Sequence, residues 1–147
     1  MSETALRAVV YASSSVPRPP ALTFTLLRTM AERRGWVVVG EFWDLALAGC
    51  RFDPPDGWGG ARTMALRGRA DVLVVARVED VACTLGEVEV LAAWAADHQV
   101  PILCADPEWR GRPYRLGPDP NRLSELRHPP LAVGAVCPGL PVRPAAS

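Results

Sequence analysis

Apolar positions along the chain fall into short β-branched runs, separated by stretches in which they recur at helical spacing. Leu6 to Ala12 is the first run, rich in valine and ended by Ser13, Ser14 and Ser15, as expected of a buried parallel strand that gives way to a loop. Beyond Pro17, Pro19 and Pro20, the residues Leu22, Leu26 and Met30 recur every fourth position, with Leu27 and Ala31 beside them, until Gly35. This spacing predicts an amphipathic helix. Trp36 to Phe42 predicts a second strand, with Asp44 where that strand would leave the sheet.

The proline and glycine punctuation of Cys50 to Gly60 predicts an irregular loop, followed by a short helix over Ala61 to Arg67 closed by Gly68. Val72 to Ala76 repeats the buried-strand signature. The next helix places Val81, Leu85, Val88, Ala92 and Ala95 on one face, and Val100 to Cys104 supplies a fourth strand. Val90, Leu91 and Trp94 widen the apolar surface of that helix beyond one core-facing stripe, so they are candidates for an interface with a partner. Strands alternating with helices imply an α/β fold of three layers, a mostly parallel sheet with helices on both faces, spanning residues 1–106.

From residue 107 to 147 the pattern ends. Nine of the 15 prolines lie there, which excludes a long helix and predicts an irregular extension. That extension holds six arginines against three acidic residues, a mild basic excess in a chain whose 16 arginines and 16 acidic residues cancel. The balanced charge supplies no field for DNA or an anionic membrane. The four cysteines are widely separated, with no Cys-x-x-Cys pair and no adjacent histidine, so reduced thiols are expected and no structural metal. No apolar run approaches the roughly 20 residues that cross a bilayer, and no secretory leader is evident, so a cytoplasmic location is expected.

In an open parallel sheet, ligands bind beyond the carboxyl ends of the strands, which here carry Ser13 to Ser15, Asp44, Arg77 with Glu79 and Asp80, and Asp106. A serine among carboxylates and one arginine is compatible with a nucleophilic site, or with a plain polar loop. No Gly-x-Gly-x-x-Gly turn or P-loop follows any strand, so no nucleotide cofactor is expected. His98, at the end of the helix before the fourth strand, is too far from Ser15 for a Ser-His-Asp triad.

Several words of the sequence together resemble the catalytic domain of the serine recombinases, the resolvase/invertase family. They are Val9-Val10-Tyr11-Ala12 followed by Ser15, Arg34-Gly35-Trp36-Val37-Val38-Val39-Gly40-Glu41, then Asp44, Gly49 and Ala70-Asp71-Val72-Leu73-Val74-Val75. The resemblance covers roughly residues 6 to 106. It implies the family's fold, and it matches Ser15 to the serine that attacks the scissile DNA phosphate, with Asp44 and Glu79 at the family's carboxylate positions. It also implies arginines that are missing. Ser13, Pro54, Asp80 and Cys83 stand in their places, and Arg77 is the one remaining candidate for a phosphate contact.

Phosphoryl transfer depends on cations held around the transferring group, so the resemblance implies the fold without the strand exchange. The expected role is then a protein-interaction or regulatory module, with a second copy of the chain or another protein as partner. Two alternatives stay open: a DNA-binding accessory of an intact recombinase, using the arginines of the extension, and a hydrolase reusing Ser15 with Asp44, Glu79 and Asp80.

Overall fold

The computed structural model describes residues 5–47, 50–51, 56–105 and 114–122. Among them, six strands form one sheet in the order β3-β2-β1-β4-β5-β6, where β1 is Arg7–Ser14, β2 Val37–Leu47, β3 Cys50–Arg51, β4 Val72–Val75, β5 Ile102–Cys104 and β6 Tyr114–Leu116. The four central strands β2, β1, β4 and β5 are parallel, while β3 and β6 pair antiparallel at the two edges. The helices are α1 (Ala21–Arg33), α2 (Asp56–Leu66) and α3 (Leu85–His98), with one 3₁₀ turn at Val78–Asp80. No helix among the described residues is long and apolar enough to cross a membrane.

Alternation along β1 and β4 divides the core between two faces. Ala8, Val10 and Ala12 point with Val72 and Val74 toward α1, where Phe24, Leu27 and Ala31 meet them. Val9 and Tyr11 point with Leu73 and Val75 toward α2 and α3, where Trp58, Ala61, Ala65, Leu91 and Ala95 close the other side. A strand buried on both faces must be apolar at nearly every position, which is why Val9, Val10 and Val72 to Val75 form unbroken runs. The three-layer α/β architecture expected from the sequence is therefore present.

Several local expectations are corrected. β1 continues through Ser13 and Ser14, which pair with Asp44 and Leu45, so β2 runs on to Leu47 and Asp44 sits within a strand. The serines tolerate the sheet because their hydroxyls find partners: Ser14 Oγ donates to the carbonyl of Val16 at 2.8 Å. On α1 the stripe facing the sheet is Phe24, Leu27 and Ala31, with Met30 packed at its margin, while Leu22 and Leu26 are exposed.

The segment expected as an irregular loop up to Gly60 is helical from Asp56, because its glycines allow α2 to lie close against β2. Before α3, Val81 is buried in a turn and Leu85 is exposed. The helix starts at the Thr84 cap, whose side chain accepts from the Glu87 amide at 3.1 Å while Glu87 Oε1 accepts from the Cys83 amide at 2.6 Å. Leu91, grouped with Val90 and Trp94 as a partner-facing residue, is buried in the core. Trp94 is packed against that core, and only Val90 is largely exposed.

β6 lies inside the 107–147 segment expected to be irregular. Three residues between Pro113 and Pro118 suffice for a short edge strand, where the absent proline amides cost no ladder bond. Residues 107–113 and 123–147 of that extension, Pro54 and Asp106 lie outside the described residues.

Candidate functional site

β1 delivers two hydroxyls to one face of the sheet near its carboxyl end, and each donates to a carboxylate from a different side. Tyr11 and Ser13 are two residues apart, so both point toward the α2 and α3 layer. The Tyr11 hydroxyl donates to Asp44 Oδ2 at 2.7 Å, and Ser13 Oγ donates to Asp80 Oδ1 at 2.7 Å. Asp44 comes from β2, the neighbour of β1 on one side. Asp80 comes from the 3₁₀ turn after β4, the neighbour on the other.

Asp44 is saturated by the fold. Besides Tyr11, its Oδ1 accepts from the Gly57 amide at 2.8 Å and its Oδ2 from the Trp58 amide at 2.9 Å. Those amides belong to the first turn of α2, so a strand carboxylate caps a helix distant in sequence and complements its positive end. The Tyr11 and Trp58 rings lie 5.2 Å apart beside it, which encloses the hydroxyl–carboxylate contact.

Asp80 is buried, and loss of solvent pushes its carboxyl above the ordinary range. The hydrogen bonds from Ser13, the charge of Arg77 and the Arg77 amide oppose that rise without cancelling it. A carboxyl raised in the folded state adds stability below its unfolded value near about 4 and loses it as pH rises through the folded value. Ionised Asp80 is thus a net cost at neutral pH. Asp80→Asn, which keeps an acceptor for Ser13, is expected to raise the melting temperature at pH 7 to 8. The gain should shrink toward zero as pH falls below about 4. Thermal scans of both proteins across that range check it, and a variant less stable at pH 8 would refute it.

The other sequence-singled residues do not join this cluster by direct bonds. Ser15 is exposed in the bend after β1, and Glu79 is exposed with Arg77 as its ion-pair partner at 3.9 Å. Cys83 is exposed one residue before the α3 cap. His98 ends α3 just before β5, at the amino ends of the parallel strands and so at the opposite end of the sheet from Ser15. Its Nδ1 lies 2.9 Å from the Trp94 carbonyl. Among the described residues no group of three His, Cys, Asp or Glu side chains is placed to hold a metal ion.

Sequence reasoning noted Ser13 and Asp80 separately and did not pair them; it gave Tyr11 no role. A hydroxyl two residues before Ser13 on the same strand face was the available signal for Tyr11.

No protein-family model matches the chain, and no curated protein matches it. Solved structures do. The C-terminal catalytic domain of ISC1926 TnpA, an IS607-like serine recombinase, superposes with a TM-score of 0.57 at 20% identity, covering 67% of this chain and 69% of that one. A resolvase family site-specific recombinase from Streptococcus pneumoniae gives 0.56 at 14% identity over 74% and 75% of the two chains. The N-terminal catalytic domain of TP901-1 integrase gives 0.56 at 12% identity over 67% and 75%. The chain therefore has the fold of the serine recombinase catalytic domain.

Proposed function

We propose that this chain is a recombinase-like domain that does not cut DNA and acts by binding another protein. The observation that carries the reading is the Ser13–Asp80 hydrogen bond of 2.7 Å, with Asp80 only 9% exposed. The resemblance expects arginine at both positions. Here the two side chains satisfy each other and place a carboxyl where cations would gather around a phosphate. One preorganised electrostatic contact to a reacting group is worth about 3 kcal/mol, roughly a hundredfold in rate, so several lost together remove useful strand cleavage. Arg77 does not replace them, since it is a single exposed cation already paired with Glu79.

The hydrolase alternative has little support. Asp44 spends both oxygens on Tyr11 and the start of α2, while Asp80 is enclosed and bonded to Ser13. The DNA-accessory alternative rests on arginines mostly outside the described residues, and among those described Arg115 pairs with Asp119 at 3.5 Å.

The reading is tested by incubating the protein with supercoiled plasmid carrying its own genomic neighbourhood. No nicked or relaxed product is expected above the level given by Ser15→Ala. Nicking that requires Ser15 would overturn the proposal.

A further inference from the structure

α2 and α3 meet through a stack of rings around one cation. The Arg62 guanidinium carbon lies 5.6 Å from the centroid of the Trp58 ring and 5.7 Å from that of Trp94, and Trp94 lies 5.0 Å from the His98 ring. Arg62 Nε is enclosed without a hydrogen-bond partner, the only buried side-chain nitrogen or oxygen so placed among the described residues. Arg7, Arg28, Arg77 and Arg115 each have a carboxylate partner. Arg62 has none among the described residues.

We propose that Arg62, clasped by Trp58 and Trp94 with Val90 alongside, is a recognition site for a carboxylate side chain set among apolar residues on a protein partner. Nε is enclosed while Arg62 as a whole is half-buried, which leaves the terminal nitrogens of the fork as its available donors. Indole faces exclude water from the guanidinium and hold it in place, which strengthens and orients a bidentate bond to a planar carboxylate. Val90, one turn before Trp94 on α3 and 72% exposed, offers an apolar shoulder next to the Trp94 position. Glu87, Glu89 and Asp97 on the same helix oppose any anion, and they oppose the extended charge of a nucleic acid more than a single carboxylate, which favours one directed contact over a phosphate backbone.

This site rests on the reading of the chain as a protein-binding module. Its failure is separable, because strand cleavage is measured without reference to Arg62.

The test titrates the full chain with an acetylated, amidated leucine-rich peptide carrying a single glutamate. The readout is the NMR resonances of the Arg62 Nε–H group and the Trp58 and Trp94 indoles. Saturable shifts are expected, with affinity reduced at least tenfold in Arg62→Gln and in Val90→Glu, and unchanged in Arg33→Gln on the opposite layer. Val90→Glu alters an exposed side chain, so it keeps the test valid should Arg62→Gln unfold.

Four results would each overturn the proposal. They are the absence of shifts at saturating peptide, equal affinity in Val90→Glu, and an Arg62-dependent response to inorganic phosphate or a single-stranded oligonucleotide in place of the peptide. The fourth is an Arg62 resonance that moves in Glu108→Gln or Glu125→Gln without peptide, which would assign the fork to the chain's own extension.

Discussion

Asp44→Ala is expected to destabilise the fold by about 4 kcal/mol, because it removes an acceptor shared by three donors at once. Tyr11 is 1% exposed and its hydroxyl has Asp44 Oδ2 as an acceptor, and the Gly57 and Trp58 amides open α2 against the same carboxylate. Each buried donor left without an acceptor costs about 1–3 kcal/mol, and loss of a helix cap alone costs about 1. Asp44→Asn should cost roughly half as much. Its one carbonyl oxygen can serve Tyr11 and Trp58 while its amide faces the Gly57 N–H. Urea unfolding of the three proteins checks the order. Equal midpoints for wild type and Asp44→Ala would show that Asp44 does not hold α2 to the sheet.

Gly57→Ala is expected to cost about 3 kcal/mol or more, from a different cause. A Cβ at position 57 would stand 2.3 Å from the Trp43 carbonyl oxygen and 3.0 Å from Asp44 Oδ2. Backbone cannot yield as a flexible side chain does, so α2 must shift away from β2 and lengthen the amide bonds to Asp44. Gly59→Ala is the control, since a Cβ there meets nothing within 4 Å and alanine favours the helix. The expected pattern is a large loss for Gly57→Ala and a neutral or slightly positive effect for Gly59→Ala, read as shifts in unfolding midpoint.

These two residues also mark where sequence reading met its limit. The apolar runs of β1, β4 and β5 were legible because strands buried on both faces have little choice but to be apolar, and β2 was legible from its β-branched run although Val37 and Val39 are exposed. The glycines at 57, 59 and 60 read as loop punctuation, yet two of them mark close approach. A Cβ on Gly60 would meet the Phe42 ring at 2.8 Å, just as one on Gly57 would meet Trp43. Nothing local distinguishes a glycine kept for space from one kept for a turn.

The helix phase failed for a related reason. Leu22, Leu26 and Met30 step by four, which overshoots the 3.6-residue turn, while Phe24, Leu27 and Ala31 step by three and four and keep one face. Two interleaved stripes fit α1, and only the sheet selects between them. At α3 the start was written in the sequence as Thr84-Leu85-Gly86-Glu87, a serine/threonine cap with glutamate three residues on, and that word places the boundary after Val81.

At the candidate site, the positions 13 and 80 were identifiable as departures from the recombinase pattern. Their mutual hydrogen bond was not, because it joins residues 67 apart in sequence. The pairing turns two separate absences into one alternative arrangement. A serine and a buried carboxyl complete each other at the two positions where the resemblance expects arginines.

The proposal that this chain does not cleave DNA strands is tested most directly by covalent capture. The protein is incubated with nicked and supercoiled DNA from its genomic neighbourhood, quenched in detergent, and resolved on a denaturing gel with labelled DNA. The account predicts no slow-migrating DNA–protein species, in the wild type or in Ser15→Ala. A labelled adduct formed by the wild type and absent from Ser15→Ala would contradict it.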